Sequence, residues 1–402
     1  MTVARCPVCG GTSLQALVHL PDVPLFCHML VRTAEEATST PRGSIDLVGC
    51  HGCSHVFNRA FDAGLLRYGG AYENSLHFSG RYQRYAEETA DRLISRYGLR
   101  DRTVLEIGSG RGDFLRLLCR RGDNRGFGFD PSHVPLLADP EHGGPVFVSR
   151  PFTSADLQPA DLVVSRHVLE HLSEPTELLA LARQASAMAG GVVFIEVPNG
   201  LYTLDQGGIW DLIYEHVSYF TPTSLAVAMT TAGLTVHHMD HAFGGQFLWV
   251  EAIPTDAAPV PASAADDSRC FDGFPRRFAA TLEQWRSTIG ALVAAGDRLA
   301  LWGGGSKGVT FLNLLGLHAG EGVDWVVDIN PRKAGAFVPG TAQPIVAPED
   351  LHALKPDHIV IVNPEYHQEI AVRLSALGLD CPVLVVTDRE AELETAVRDD
   401  AV

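Results

Sequence analysis

Four of the eight cysteines in this 402-residue chain form two identical pairs, Cys6-Pro7-Val8-Cys9 and Cys50-His51-Gly52-Cys53. A gap of two residues lets both sulfurs of a tight turn reach one ion, and two such turns complete a tetrahedron. Thiolates are soft ligands, and four of them favour zinc with no open position, which makes the site structural. Cys9-Gly10-Gly11 and Gly52 supply the backbone freedom that such turns need. A redox pair or a chance pairing are the competing assignments. Cys27-His28 and His55 are the nearest competing ligands and are ranked as bystanders.

The second constellation is Val104-Leu105-Glu106-Ile107-Gly108-Ser109-Gly110-Arg111-Gly112-Asp113-Phe114, an apolar strand, alternate glycines and a helix start. Its Gly-x-Gly-x-Gly spacing departs from the dinucleotide fingerprint, in which the third glycine comes three places after the second. It resembles the loop of class I S-adenosylmethionine (SAM) methyltransferases. SAM carries a carboxylate and an ammonium where NAD carries a pyrophosphate. Backbone N–H groups of Gly108, Ser109, Gly110 and Gly112, near a helix N-terminus, suit the carboxylate, and Glu106 at the strand end suits the ammonium. Twenty positions after Gly110 comes Asp130-Pro131, at the end of the next apolar strand, where an acid can accept both ribose hydroxyls.

Ser165-Arg166-His167-Val168-Leu169-Glu170-His171 follows another apolar run and therefore lies at the carboxyl edge of a sheet, where ligands bind in such folds. His167 and His171 are four apart. The sequence offers no third ligand at a useful local spacing, so the reading is a cavity-lining His167, a structural His171 and no catalytic metal.

These residues need elements to position them. Residues 1–70 read as a zinc-binding module whose regular structure is broken by Pro21, Pro24 and Pro41. Residues 71–255 read as a doubly wound α/β sheet. A helix is predicted over Tyr72–Tyr97, with strands at 103–107, 126–129, 162–165 and 192–197, late strands at 235–240 and 247–252, and helix starts near Gly112 and Pro175. Pro254 to Asp267 reads as a linker. Residues 256–402 read as a C-terminal αβ domain, with a helix over Thr281–Leu292 and strands at 299–302, 323–328, 358–362 and 383–386. The fold class is thus α/β, a Rossmann-like sheet between a zinc module and a second Rossmann-like domain.

In that last domain Trp302-Gly303-Gly304-Gly305-Ser306-Lys307-Gly308 is again a strand, a glycine loop and a helix start. Read functionally it cradles a phosphate with helix N–H groups and the Lys307 charge, and read structurally it is a tight turn. Asp328, twenty residues after Gly308, repeats the acid of a Rossmann half.

The order of parts resembles the SAM-dependent sugar C-methyltransferases, over essentially the whole chain. Three further stretches carry the resemblance: Tyr214-Glu215-His216-Val217-Ser218-Tyr219-Phe220; the Trp302 to Gly308 loop; and Val327 to Gly335 followed by Pro339-Gly340-Thr341 and Pro344-Ile345. The resemblance implies C-methylation of a nucleotide-linked keto-deoxysugar through a base-generated enolate, in deoxysugar biosynthesis. His216 or Tyr214 would be the base, assisted by Glu215 and His167. Tyr72, Tyr219, Gly303, Ser306, Lys307 and Asp328 would meet the acceptor. Two departures stand out. The family commonly has one residue between its base tyrosine and Glu-His, whereas here Tyr214 abuts Glu215 and Ile213 holds the usual place. Either Tyr214 serves through a shifted backbone or the role is absent. Asn363-Pro364-Glu365-Tyr366 stands where the sugar enzymes commonly carry Trp-Asn-Phe.

Alternatives remain: O- or N-methylation of another small molecule on the same scaffold, an NAD-dependent redox or epimerase-type enzyme using the Gly303 loop, and a non-catalytic adaptor. The formal charge of −17 argues against nucleic acid or an anionic membrane as partner. With 46% hydrophobic and 20% charged residues the composition is that of a globular protein. No apolar run approaches a membrane span and no signal segment is apparent, so the expected location is cytoplasmic. The oligomeric state is not legible.

Overall fold

The computed structural model describes residues 4–66, 72–134, 144–255 and 267–387, and the backbone of 392–394. The chain opens with strands β1 (Leu14–Pro24), β2 (Arg42–Cys50) and β3 (Val56–Asn58), paired antiparallel. The prolines do not prevent this. β1 is an edge strand, and Pro21 falls where its register with β2 shifts, between Leu20 and Val23, so no ladder donor is lost.

The central part supplies β4 (Thr103–Ile107), β5 (Arg125–Phe129), β6 (Val146–Val148), β7 (Leu162–Arg166), β8 (Val192–Pro198), β9 (Ser218–Tyr219), β10 (Leu234–Ala242) and β11 (Phe247–Pro254). Seven of these form one sheet in the order β10-β11-β8-β7-β4-β5-β6, parallel from β8 to β6, with β11 and β10 added antiparallel. The strand order reverses between β4 and β7, which opens a crevice beyond their carboxyl ends. β9 leaves this part of the chain and pairs with β3, so the N-terminal sheet is completed by residues 218–219.

The third sheet contains β12 (Leu299–Trp302), β13 (Val323–Val327), β14 (Ile345–Val346), β15 (His358–Ile361), β16 (Val383–Val385) and β17 (Glu392–Glu394), in the order β14-β13-β12-β15-β16-β17. All pairs are parallel except β16 with β17. Its reversal lies between β12 and β15. Residues 256–266, which hold most of the expected linker, lie outside the described residues.

Two predicted helices have different bounds. The first starts at Gly80 rather than Tyr72, because Ser79 caps it by accepting the N–H of Tyr82, and Tyr72 instead bridges Met29. Glu369 reinforces that start by accepting from Gly80 N, Arg81 N and Ser79 Oγ. Its inner face is Tyr82, Tyr85, Ala86, Ala90, Leu93 and Ile94, and Gly98 ends it at φ 59. The second runs over Cys270–Ala295 and includes Pro275. Phe271, Phe274, Phe278, Leu282, Trp285 and Ile289 recur at helical spacing, and burying them outweighs the single backbone bond given up at Pro275.

The apolar cores join the three sheets. One runs from Leu25, Ile45 and Leu47 through Trp210 and Tyr214 to Phe271, Trp285, Phe311 and Val360. Another packs Cys6, Val8 and Phe57 with Leu105, Val163, Ile195 and Phe220. The N-terminal sheet is therefore wedged against both Rossmann-like sheets. Among the described residues no helix is long and apolar enough to cross a membrane.

Candidate active site

The carboxyl edges of β4 and β7 and those of β12 and β15 open into one cavity of about 680 Å³. On the first side, Gly108 and Gly112 have φ of 78° and 83°, and a Cβ would strike Val168 at Gly108 and Phe147 at Gly112. Gly108, Ser109 and Gly110 line the cavity, whereas Gly112 packs under Phe147 and Pro131 is exposed. Asp130 lines it too. Its Oδ2 accepts from Gly110 N at 2.8 Å and its Oδ1 from Ser132 N at 2.7 Å, which fixes the carboxylate at the strand end.

Glu106 is buried, with Oε2 lacking a hydrogen-bond partner. Burial pushes its carboxyl up to about 8, opposed by the Arg166 guanidinium. An orphaned carboxylate beside N–H-rich glycines fits a ligand carrying an ammonium and a carboxylate, as SAM does.

Behind these lies a buried charge network. Glu196 accepts from Arg166 Nε at 2.9 Å and from the Tyr85 hydroxyl, and lies 3.0 Å from His167 Nε2. Burial alone would raise the Glu196 carboxyl, but Arg166 and His167 hold it down at about 2. Burial disfavours charge on His167, yet Glu170 and Glu196 push it up to about 9. His167 adopts φ 55°, a strained conformation for a non-glycine residue, and lines the cavity.

The Tyr214-Glu215-His216 stretch splits three ways. His216 lines the cavity, 91% buried by its 9% exposure, and burial together with the neighbouring His171 keeps its imidazole neutral. Glu215 is a layer behind: its Oε2 accepts from Cys27 N at 2.8 Å, and burial raises its carboxyl. Tyr214 points away. Its hydroxyl accepts from Asp62 N at 3.0 Å and its ring packs on Phe61, while Ile213 faces the cavity. The backbone is not shifted to bring Tyr214 into the role of base, and the position at the usual spacing is apolar. Tyr219 is likewise core, donating to Ile213 O at 3.3 Å, because β9 carries it into the N-terminal sheet.

Tyr72, Gly303, Ser306, Lys307 and Asp328 line the opposite wall. Asp328 Oδ2 accepts from Gly304 N at 2.9 Å and Oδ1 from Asn330 N at 2.8 Å. Lys307 Nζ is paired with Asp211, so its charge is already countered. Sequence reasoning missed several wall residues. His28, ranked as a bystander, lines the cavity, with burial and Lys333 holding its imidazole down at about 3. His171 also faces the cavity, its Nδ1 2.8 Å from Glu215 O. Lys333 donates to Gly304 O at 3.0 Å, and Asn330 and Arg332 reach Glu73, which also holds Arg111 of the first glycine loop at 3.0 Å. Asn330, Arg332 and Lys333 share the Val327 to Gly335 stretch that carries the resemblance, which was the signal that could have found them, whereas no local spacing pattern announces His28 or His171.

The cysteine sulfurs converge as well. Cys6 Sγ and Cys53 Sγ are 3.6 Å apart, as are those of Cys9 and Cys50, and all four lie within 4.8 Å of one another. Tetrahedral zinc with Zn–S near 2.3 Å needs sulfurs about 3.8 Å apart, so the set suits a closed zinc site.

Residues 82–239 match the model of a methyltransferase domain, and residues 261–381 that of a C-methyltransferase C-terminal domain. The C-methyltransferase NovU of Streptomyces niveus is 27% identical over 391 residues, covering 92% of this chain and 91% of that protein. Two solved methyltransferases align more distantly. The 1,6-didemethyltoxoflavin-N1-methyltransferase of Burkholderia thailandensis is 19% identical, covers 42% of this chain and 79% of its own, and has a TM-score of 0.34. The magnesium protoporphyrin IX methyltransferase of Synechocystis PCC 6803 is 18% identical, covers 44% and 84%, and also has a TM-score of 0.34. With two domain models matched in order along a doubly wound sheet, this chain is a SAM-dependent methyltransferase, similar to C-methyltransferases over most of its length.

Proposed function

We propose that this enzyme methylates a carbon of a nucleotide-linked keto-deoxysugar. The observation that carries the reading is the shared cavity: two Rossmann-type edges, each with a glycine loop tied to an acid, face one another with imidazoles between them. Glu106, Asp130 and the Gly108–Gly110 N–H groups would hold SAM, which when bound supplies an electrophilic methyl group on sulfur. Asp328 and the Gly303–Ser306 loop would hold the nucleotide of the acceptor. Because Lys307 is countered by Asp211, the cradle rests on the N–H groups opening the helix Ser306–Leu315, whose N-cap, Gly305, offers no side chain.

A carbon beside a carbonyl becomes nucleophilic only when a proton is removed, which needs a neutral base in a dry site. His216 is that base in this reading. Its imidazole is kept uncharged by burial, and the backbone of its segment is fixed by Val217 N donating to Glu170 O at 2.7 Å. Glu215 positions the segment through Cys27, and the cationic His167 stands ready to stabilise negative charge on the acceptor oxygen. The four-cysteine cluster would hold a structural zinc.

Calorimetric SAM binding with and without a panel of nucleotide 4-keto-deoxysugars, followed by mass analysis of the products, tests this. A gain of one methyl on a sugar carbon, with solvent exchange of the substrate C–H, is expected. SAM binding with methylation at oxygen or nitrogen and no such exchange would replace the acceptor chemistry. Nicotinamide absorbance in the bound state would assign the Gly303 loop to NAD.

A further inference from the structure

In the sequence His171 pairs with His167 and finds no third ligand; the fold instead brings Glu170 and His216 to His171. Ligand atoms of Glu170, His171 and His216 all lie within 4.8 Å of one another, and all three residues line the cavity. Glu170 and His171 sit on one short turn, Leu169–His171, and His216 comes from the segment before β9. The Val217 N to Glu170 O bond at 2.7 Å ties the two pieces of backbone together. The imidazoles of His171 and His216 meet edge to face, with centroids 5.0 Å apart.

The donors are poised rather than merely close. Glu170 is 1% exposed, and neither of its carboxylate oxygens has a hydrogen-bond partner. His167 Nδ1 approaches Oε1 only to 3.7 Å. His216 is 9% exposed, and its Nδ1 is buried without a partner. His167, whose charge Glu170 helps to hold, offsets that carboxylate only from 3.7 Å and without a hydrogen bond, so both oxygens stay open to a directly bound cation. His171 Nδ1 lies 2.8 Å from the backbone oxygen of Glu215, a bond that requires Nδ1–H and makes Nε2 the basic nitrogen. Metal-bound histidines are oriented by this kind of outer contact.

We propose that Glu170, His171 and His216 bind one divalent first-row transition-metal ion. Two imidazoles and one carboxylate suit zinc, cobalt, nickel or iron(II) rather than magnesium or calcium, which take oxygen ligands. Three protein ligands leave at least one position open toward the cavity, where water or an acceptor oxygen completes the shell. The ion and a proton compete for His216. On the reading of His216 as base, which this consequence rests on, the metal-loaded enzyme has its base withheld, and added ion slows methyl transfer.

The test is titration of full-length, zinc-loaded protein with Co²⁺, followed by metal analysis and visible absorption. One further Co²⁺ per chain is expected, with ligand-field bands and no sulfur-to-cobalt charge transfer. Glu170→Gln and His171→Gln should each weaken it at least tenfold, while zinc content stays at one per chain and SAM affinity stays within about twofold. Those two controls report folding independently of the site. No Co²⁺ bound beyond the zinc, or one indifferent to both substitutions, overturns the site. Binding as expected with turnover unchanged at saturating Co²⁺ keeps the site and overturns His216 as base.

Discussion

Asp130 and Asp328 hold equivalent posts on two different sheets: each accepts a glycine-loop N–H through Oδ2, from Gly110 at 2.8 Å and from Gly304 at 2.9 Å. Each also accepts, through Oδ1, the N–H two residues on, from Ser132 and Asn330. The two sites differ in what surrounds them. Asp130 has the orphaned Glu106 nearby, whereas Asp328 has Lys333 at 3.3 Å.

That division of labour predicts separable phenotypes. Asp130→Asn should weaken SAM binding about tenfold or more, the loss of one or two charge-assisted hydrogen bonds. Asp328→Asn should leave SAM affinity within about twofold and raise the acceptor KM about tenfold or more. Calorimetry for SAM and steady-state kinetics for the acceptor check the pair. A KM effect from Asp130→Asn alone would reverse the assignment of the two walls.

Glu106 predicts a proton linkage. Its carboxyl, pushed up to about 8 by burial, is mostly protonated at pH 7 in the free chain and ionised against a ligand ammonium. SAM binding at pH 7 should therefore release close to one proton, and below pH 8 affinity should fall up to about tenfold per pH unit. Calorimetry in buffers of differing ionisation enthalpy measures the release. Glu106→Gln should remove it, so the difference between the two proteins isolates this carboxyl.

The rotation of Tyr214 away from the cavity predicts an asymmetry with its neighbour. Tyr214→Phe removes only an acceptor for Asp62 N and should cost about 1 kcal/mol of stability with turnover within about twofold. His216→Ala should leave SAM affinity unchanged and lower turnover by at least about a hundredfold. Urea unfolding and single-turnover kinetics on both variants distinguish them.

The cysteine cluster is coupled to the site through Cys27, whose N–H holds Glu215 from within the N-terminal module. Cys50→Ser should therefore lose zinc, lower the Tm by about 10 °C or more, and abolish turnover. Metal analysis beside a thermal melt checks it. Full activity in zinc-free protein would uncouple the module from the chemistry.

The parts legible in the sequence were those encoded locally. β4, β5, β7 and β8 are short, mostly apolar runs followed by glycine or polar residues, and both glycine loops follow strands directly, so their placement could be read from spacing. β1 was hidden because Pro21 marks a break unless one knows that it sits at a bulge on an edge. Ile213 and Tyr214 could not be told apart because they follow the short turn Ile209–Asp211, with no periodicity to decide which side chain faces inward. The place of His28 in the wall and the meeting of Glu170 with His216 depend on packing between distant segments. Local spacing carries no trace of that packing.

The pairing of β3 with β9 also constrains how the chain acquires its shape. Val56 is matched with Tyr219, and His55 contacts Ser218, 163 positions further along the chain. A nascent chain that has delivered both cysteine pairs still lacks the outer strand of its first sheet until most of the central sheet has emerged. Such long-range closure slows folding and leaves an unpaired strand edge in the meantime. The first 70 residues are thus ill suited to expression by themselves, and the cysteines synthesised first are among the last residues to be enclosed.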